Sequence, residues 1–157
     1  MAGPHFAGFD KNPASPMSAA KASDRVRRRI AAQADYRCGY CLSSERLTGI
    51  RLTLDHIIPL AAGGLTEENN LWVACRPCNE FKGAQTRAQN PITDHIVPLF
   101  NPRAQLWHEH FEWSARGTHI VGLTPVGRVT VGALQLNHDL VVQARRQWVK
   151  VGWHPPE

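Results

Sequence analysis

Four cysteines in two C-x-x-C pairs constrain this chain more than any other feature. The pairs are CGYC and CRPC, and the 33 residues 42–74 lie between them. Thiolates are soft ligands, and each such pair can form a tight knuckle around a metal ion. The pattern therefore predicts one tetrahedral Zn²⁺ site with an inserted segment between its halves, closed by Cys38, Cys41, Cys75 and Cys78. A redox-active pair and unconnected core thiols are the alternatives.

Charge and hydropathy narrow the class of partner. The 157 residues carry a net charge of +5, with a pI of about 9.4. This favours an anionic partner, usually nucleic acid, although a soluble protein that happens to be basic explains the charge equally well. No apolar run approaches the roughly 20 residues of a membrane span. The first residues lack the basic start and apolar core of a signal peptide, so we expect a cytoplasmic location and reduced thiols.

The segment before the first cysteine pair divides into an arm and a helix. Residues 1–22 are rich in Pro, Gly, Ala and Ser, which predicts a mobile arm. Ser23 or Asp24 can cap a helix that follows. Its apolar stripe would be formed by Val26, Ile30 and Ala34. Its arginines either form a solvated helix face or contact phosphates: Arg25, Arg27, Arg28 and Arg29.

Between and after the cysteine pairs the pattern predicts strand, loop, strand and helix. GIRLTLDHIIPL indicates a strand, AAGGLTEENN a glycine loop, and LWVAC a second short strand. NEFKGAQTR suits a short helix that starts right after Cys78. Asp55 and His56 then lie together on the first strand, and Asn79 lies at the start of the helix.

The C-terminal third has its own pattern, and the whole chain is predicted to be α+β. Residues 86–102 contain three prolines and are expected to be irregular, whereas HFEWS and THIVGLT predict a hairpin. Thr124 can cap a helix whose first residue is Pro125. DLVVQARRQWVKVG predicts a final helix ended by Gly152. The residues expected to face inward on it are Leu140, Val141, Ala144, Trp148 and Val149.

An acid beside an imidazole within an apolar strand calls for a chemical explanation. The carboxylate of Asp55 is a hard oxygen ligand of the kind that Mg²⁺ or Mn²⁺ prefers. The imidazole of His56 can accept a proton from water near neutral pH. A metal ion beside such a base can hydrolyse a phosphodiester. By itself the pair is a weak signal, and a capping Asp beside a core His is the alternative.

The surrounding residues resemble the HNH endonuclease family. The resemblance covers residues 36–84, where residue types, order and spacing match together. The residues that carry it are Cys38, Cys41, Asp55, His56, Pro59, Gly63, Gly64, Asn70, Leu71, Cys75, Cys78, Asn79, Lys82 and Gly83. It implies a zinc-stapled ββα-metal core, which we place at residues 23–85. Residues 86–157 are expected to form a C-terminal extension that packs on this core, with DNA binding and pairing of subunits as the alternatives.

The resemblance also implies roles for individual residues. Asp55 and Asn79 would hold a catalytic Mg²⁺ or Mn²⁺, and His56 would activate water. Asn70 would brace the loop between the strands, with Asn69 as the competing candidate. The candidate phosphate contacts are Lys82, Arg76 and Arg28, for which solvated helix side chains are the alternative.

Together these features predict a metal-dependent endonuclease acting on double-stranded DNA. The structural zinc would have no open coordination position and so no part in the chemistry. Cleavage would leave 5′-phosphate and 3′-hydroxyl ends, as the resemblance implies. A zinc-stabilised DNA-binding module without cleavage is the alternative function, and a protein–protein adaptor is disfavoured by the charge and by the polar trio Asp55, His56 and Asn79.

Overall fold

The first helix begins earlier than its sequence signals indicated. The computed structural model describes residues 16–157. Residues 1–15 of the arm expected over residues 1–22 therefore lie outside the described residues. Helix α1 spans Pro16–Gln33, whereas the prediction started it at Ser23 or Asp24. Proline is well suited to a first helical position, and the Met, Ala and Lys residues that follow are good helix formers.

Two short strands and a helix form the central unit, as predicted. Strand β1 (Thr53–His56) pairs antiparallel with β2 (Leu71–Ala74), so that Asp55 lies opposite Trp72. β1 is shorter than its apolar run because Pro59 leads into a 3₁₀ turn over Leu60–Ala62. A one-turn helix, α2 (Glu45–Thr48), precedes β1.

The helix after the second cysteine pair starts before the predicted position. Helix α3 spans Arg76–Lys82, with Cys75 at its N-cap and Pro77 in its first turn. The prediction placed the start at Asn79, but proline in a first turn favours helix formation from Arg76. Cys78 therefore lies on the helix itself, and Asn79 and Lys82 follow it within the same helix.

The region after α3 contains a hairpin where irregular structure was expected. Strands β3 (Arg87–Gln89) and β4 (Ile96–Pro98) pair antiparallel, with Ala88 opposite Val97. Asn90 stabilises the connecting turn, because its Oδ1 accepts a hydrogen bond from the backbone N–H of Ile92 at 3.0 Å. Prolines are tolerated here since a two-stranded sheet consists only of edge strands.

The predicted C-terminal hairpin and helices are confirmed. A short helix, α4 (Trp107–His110), leads into β5 (Phe111–Trp113), which pairs antiparallel with β6 (Ile120–Gly122). Helix α5 (Pro125–Ala133) is capped by Thr124, whose Oγ1 accepts from the N–H of Gly127 at 3.1 Å.

The buried face of the last helix only partly matches the prediction. Helix α6 (Asp139–Lys150) buries Val142 and Arg145, and Leu140 is 74% exposed. The other residues that were expected to face inward are partly buried: Val141, Ala144, Trp148 and Val149. Arg145 is fully buried and donates hydrogen bonds to the carbonyl of Thr118 and to Oδ1 of Asn137. These polar contacts hold the Arg145 side of the helix inward. The predicted face was chosen from apolar residues alone, so it could not include a buried arginine.

One buried core joins the central unit to the C-terminal region. Its members include Ile30 of α1, Val73 of β2, Phe111 of β5 and Val129 of α5. The indole Nε1 of Trp107 also donates a 2.8 Å hydrogen bond to the backbone carbonyl of Tyr40. Residues after α3 therefore pack directly against the cysteine-bearing unit. Within the described part of the chain, no helix has the length and apolarity needed to cross a bilayer.

Candidate functional site

The four cysteines form one cluster whose geometry suits zinc. All four Sγ atoms lie within 4.8 Å of one another, and the Sγ atoms of Cys41 and Cys75 are 3.6 Å apart. A tetrahedral Zn²⁺ with Zn–S bonds of about 2.3 Å places its sulfur ligands roughly 3.8 Å apart. Three of the cysteines are buried and Cys75 is partly buried. The cluster therefore fits the closed, structural zinc site that the sequence predicted.

Local turns bring the two cysteine pairs together. In the first pair, the N–H of Tyr40 points to Sγ of Cys38 at 3.4 Å. The N–H of Gly39 binds the carbonyl of Val73 at 2.9 Å, which ties this turn to β2. In the second pair, Cys75 follows β2 directly and Cys78 lies in the first turn of α3. A metal in this cluster would join the first turn, β2 and α3.

The thiols influence one another's ionisation. Burial raises the pKa of Cys38, and the hydrogen bond with Cys38 raises the pKa of Cys78. The pKa of Cys41 is lowered, chiefly by the hydrogen bond from Cys38. The cluster therefore favours a negative charge on Cys41 over one on Cys38 or Cys78. Four thiolates at this spacing need a bound cation to offset their mutual repulsion.

Asp55 is buried and both of its carboxylate oxygens accept hydrogen bonds. The phenol of Tyr40 donates to Oδ2 at 2.6 Å, and Nζ of Lys82 donates to Oδ1 at 3.0 Å. Burial raises the pKa of Tyr40, and the charge of Asp55 raises it further, so the phenol stays protonated and remains a donor. Asp55 is thus held between the first cysteine turn and α3.

The position of Lys82 differs from the prediction. Its side chain is only 2% exposed and forms an ion pair with Asp55, and its Nζ also donates to the carbonyl of His56 at 2.7 Å. A phosphate contact or a solvated helix face would require an exposed ammonium group. The prediction of an exposed Lys82 was wrong. Helical spacing shows that Lys82 lies one turn after Asn79, but it does not show which side of α3 packs on β1.

Asn79 lies over the same strand as Asp55. Its Nδ2 donates to Oγ1 of Thr53 at 3.1 Å and approaches the carbonyl of Leu54 at 3.4 Å. Thr53 and Asp55 point to one face of β1, because side chains alternate along a strand. With Nδ2 engaged in this way, Oδ1 is the atom of the Asn79 amide group that could bind a metal ion.

His56 ends β1 and contacts the glycine loop. Its Nε2 lies 2.9 Å from Oγ1 of Thr66, and its ring is partly exposed. If Nε2 carries the proton and donates to Thr66, Nδ1 is the nitrogen with a free lone pair. This places a proton acceptor at the end of the strand that carries Asp55.

Asn70 holds the loop between β1 and β2. Its Oδ1 accepts from the N–H of Ile58, and its Nδ2 donates to the carbonyls of Ile58 and Leu65, each at 2.9 Å. These contacts match the bracing role that the family resemblance implied. Asn69 is exposed, and among the described residues its side chain makes no hydrogen bond.

Two glycines allow the loop to come close to β1. Gly63 has a φ of +87°, which disfavours residues with a Cβ, and its N–H bonds the carbonyl of Leu60. A Cβ on Gly64 would lie 1.7 Å from the carbonyl oxygen of Ile58. Both positions therefore require glycine, and the resulting turn carries Thr66 back towards His56.

The two candidate arginine contacts are exposed but already paired. Arg28 is 67% exposed and lies 3.1 Å from Asp24. Arg76 is 77% exposed and lies 2.7 Å from Glu80. Arg28 and Asp24 lie on α1, and Arg76 and Glu80 lie on α3. Because both pairs are open to solvent, a phosphate can compete for either guanidinium at little cost.

Sequence reasoning missed Tyr40 and Thr66 as parts of the site. Tyr40 lies within the first cysteine pair, 15 positions from Asp55, and its ring could only be classed as a packing residue. Thr66 belongs to a polar loop in which nothing distinguishes it from its neighbours. Neither contact has a signal in residue spacing, since both depend on how the loop and the cysteine turn fold over β1.

A comparison with known protein families gives a match over the region that contains the candidate site. The family model described as HNH endonuclease matches residues 38–85. Comparisons with curated proteins and with solved structures gave no match. The matched region includes all four cysteines, both strands of the central sheet and helix α3. Residues 38–85 of this chain therefore form a domain of the HNH endonuclease family.

Proposed function

We propose that this protein is an endonuclease that hydrolyses phosphodiester bonds of double-stranded DNA with the help of a divalent metal ion. The observation that carries the proposal is the packing of α3 across β1. This packing brings Asn79 to Thr53 and Lys82 to Asp55. The carboxylate of Asp55, the amide oxygen of Asn79 and the imidazole of His56 all belong to β1 or to the helix packed on it, which supports the proposal.

The donor atoms suit Mg²⁺ or Mn²⁺. Asp55 and Asn79 would hold the ion through a carboxylate oxygen and Oδ1, which are the hard oxygen ligands that such ions prefer. Both oxygens of Asp55 already accept one hydrogen bond, but each has a second lone pair. When bound, the ion would neutralise negative charge on the scissile phosphate and on the leaving oxygen.

His56 would act as the general base. Its Nδ1 would take a proton from the attacking water, while Nε2–H donates to Thr66. The hydrogen bond to Thr66 would hold the ring in one orientation, and we assign the proton to Nε2, with the Thr66 hydroxyl as acceptor. Asn70 supports this arrangement indirectly, because it holds Ile58 and Leu65 at the two ends of the loop that carries Thr66.

The zinc cluster would support the site without taking part in the chemistry. Four cysteine ligands leave no open coordination position. The cluster joins the Tyr40 turn, β2 and α3, and these elements carry the partners of Asp55. DNA would approach over exposed cations such as Arg28 and Arg76, whose phosphate contacts position the duplex but do not read its sequence.

One observation favours a second function, a zinc-stabilised DNA-binding module without cleavage. The carboxylate of Asp55 is 3% exposed and already compensated by the ammonium group of Lys82. A carboxylate with this environment needs no metal ion to remain stable in the folded protein. Under this alternative, Asp55 and Lys82 would only stabilise the fold.

The two functions are separated by a cleavage assay on supercoiled plasmid. We expect the parent protein to nick the plasmid in Mg²⁺ or Mn²⁺ and to be inactive in EDTA. His56→Ala should lose nicking while it retains zinc and DNA binding, and His95→Ala, which alters an exposed histidine of the β3–β4 turn, is the matched control. Binding of DNA without cleavage in any divalent metal would support the module instead.

A further inference from the structure

Tyr40 connects the zinc cluster to the carboxylate at the centre of the candidate site. Its hydroxyl lies 2.6 Å from Oδ2 of Asp55, and its ring is completely buried. We propose that Tyr40 is a positioning residue, which orients the Asp55 carboxylate for the divalent metal ion and makes metal binding depend on the first cysteine turn. This inference rests on the proposed metal-dependent function.

The backbone of Tyr40 is fixed on both sides. Cys38 and Cys41 flank it as expected zinc ligands, and its N–H points to Sγ of Cys38 at 3.4 Å. Its carbonyl accepts the 2.8 Å hydrogen bond from Nε1 of Trp107. With its ring buried as well, Tyr40 has little freedom to move its hydroxyl away from Asp55.

The two partners of Asp55 come from the two halves of the zinc cluster. Tyr40 lies inside the first cysteine pair, and Lys82 lies on the helix whose first turn contains Cys78. Two hydrogen bonds to different oxygens fix the rotation of a carboxylate as well as its position. The remaining lone pairs of Asp55 are thereby held in one direction, which reduces the ordering cost of binding a metal ion.

Tyr40 and Lys82 make different electrostatic contributions to Asp55. Lys82 supplies a positive charge, whose removal leaves a buried carboxylate uncompensated. Tyr40 is a neutral donor, because its phenol hydroxyl donates the 2.6 Å hydrogen bond to Oδ2 of Asp55. Removal of the hydroxyl alone therefore changes how the carboxylate is oriented and leaves the formal charge of the site unchanged.

The test compares Tyr40→Phe with Tyr36→Phe. Tyr36 is the only other tyrosine, it is partly buried, and its ring packs under the guanidinium of Arg46. Among the described residues its hydroxyl forms no hydrogen bond. The measurements are Mn²⁺ affinity of the DNA-free protein by electron paramagnetic resonance, zinc content, melting temperature and the Mg²⁺ concentration for half-maximal plasmid nicking.

We expect Tyr40→Phe to keep one equivalent of zinc and to bind Mn²⁺ about tenfold more weakly, the size of effect typical for one hydrogen bond to a charged group. Half-maximal nicking should need a correspondingly higher Mg²⁺ concentration, with a smaller change in rate at saturating Mg²⁺. Tyr36→Phe should behave like the parent protein. An unchanged Mn²⁺ affinity in zinc-loaded Tyr40→Phe would overturn the inference.

The direct binding measurement separates this inference from the proposed function. If the parent protein binds Mn²⁺ but does not cut DNA, the nuclease proposal fails, and a weakened affinity of Tyr40→Phe still supports the role of Tyr40. If the parent protein cuts DNA and Tyr40→Phe matches it at every metal concentration, the nuclease proposal stands and the role of Tyr40 is refuted.

A second measurement covers the case in which Tyr40→Phe loses zinc or fails to fold. In a Tyr36→Phe background, 3-fluorotyrosine labels Tyr40 alone, because the chain has two tyrosines. We expect its ¹⁹F resonance to shift as Mg²⁺ is added and the shift to disappear in Asp55→Asn. A resonance that does not respond to Mg²⁺ concentrations that saturate nicking would overturn the inference.

Discussion

Nζ of Lys82 lies 3.0 Å from Oδ1 of Asp55, and the two side chains are only 2% and 3% exposed. Lys82 also donates to the carbonyl of His56, so one ammonium group binds both adjacent residues of the Asp–His pair. Asp55 is therefore part of the buried core as well as of the candidate site, and its substitution should affect stability and activity together. His56 contacts Lys82 only through its backbone carbonyl, so substitution of its imidazole leaves this hydrogen bond in place.

Lys82→Met should lower the free energy of unfolding by about 3–5 kcal/mol, because it leaves the Asp55 carboxylate buried and unpaired. Urea denaturation of the zinc-loaded protein measures the change. Lys150→Met, at an exposed position of α6, is the control and should stay close to the parent. The double variant Lys82→Met/Asp55→Asn should recover part of the loss, since it removes both charges. A single variant as stable as the parent would show that the ion pair contributes nothing to folding.

Thr66→Val should reduce nicking roughly tenfold at saturating metal, because His56 then loses the hydrogen bond that orients its ring. The metal concentration for half-maximal activity should not change, since Thr66 contacts no proposed metal ligand. Thr66→Ser keeps the hydroxyl and should restore most of the rate. Equal rates for the Val and Ser variants would mean that the 2.9 Å contact between Thr66 and His56 has no part in the reaction.

Cys75→Ser should lose bound zinc and lower the melting temperature by about 10 °C or more, because structural zinc binding stabilises the folded state by several kcal/mol. Metal analysis and thermal unfolding test this directly. Ser43→Ala removes the hydroxyl that lies 3.2 Å from Sγ of Cys41 but no ligand, so it should retain zinc. A zinc-free Cys75→Ser protein that melts with the parent would disprove the structural role of the cluster.

Asn70→Ala should destabilise the loop by about 1–3 kcal/mol, because it removes three hydrogen bonds to the backbone of Ile58 and Leu65. We also expect slower nicking with zinc content unchanged, since the loop carries Thr66. Asn69→Ala is the matched control and should have little effect, as its side chain is exposed. If Asn69→Ala is the more damaging substitution, the assignment of the bracing residue is reversed.

The four-cysteine cluster and the order of the central elements could be predicted from residue types and spacing alone. Two C-x-x-C pairs leave few alternatives, because thiolates at that spacing converge on one ion. The apolar runs around Asp55 and at 71–74 predicted β1 and β2 correctly, since strands with one buried face have a simple residue pattern. The C-terminal hairpin and the Thr124 cap were also found, because their signals are local.

Burial of charged residues could not be predicted in the same way. Lys82 and Arg145 are both buried, although Lys82 was expected to be exposed and Arg145 was not among the residues expected to face inward. Lys82 is paired with Asp55, 27 positions away. One guanidinium nitrogen of Arg145 donates to the carbonyl of Thr118, also 27 positions away, and to Oδ1 of Asn137. Residue patterns measure hydrophobicity, and they contain no information on whether a distant acceptor will be present.

The assembly of the candidate site could not be predicted from residue patterns. Local sequence indicated that Asp55, His56 and Asn79 are suited to metal and proton chemistry. The placement of Tyr40 against Asp55 and of Thr66 against His56 depends on how the first cysteine turn and the glycine loop fold over β1. These contacts join residues that are 10 and 15 positions apart with no common periodicity, so packing of the whole domain fixes them and no local signal does.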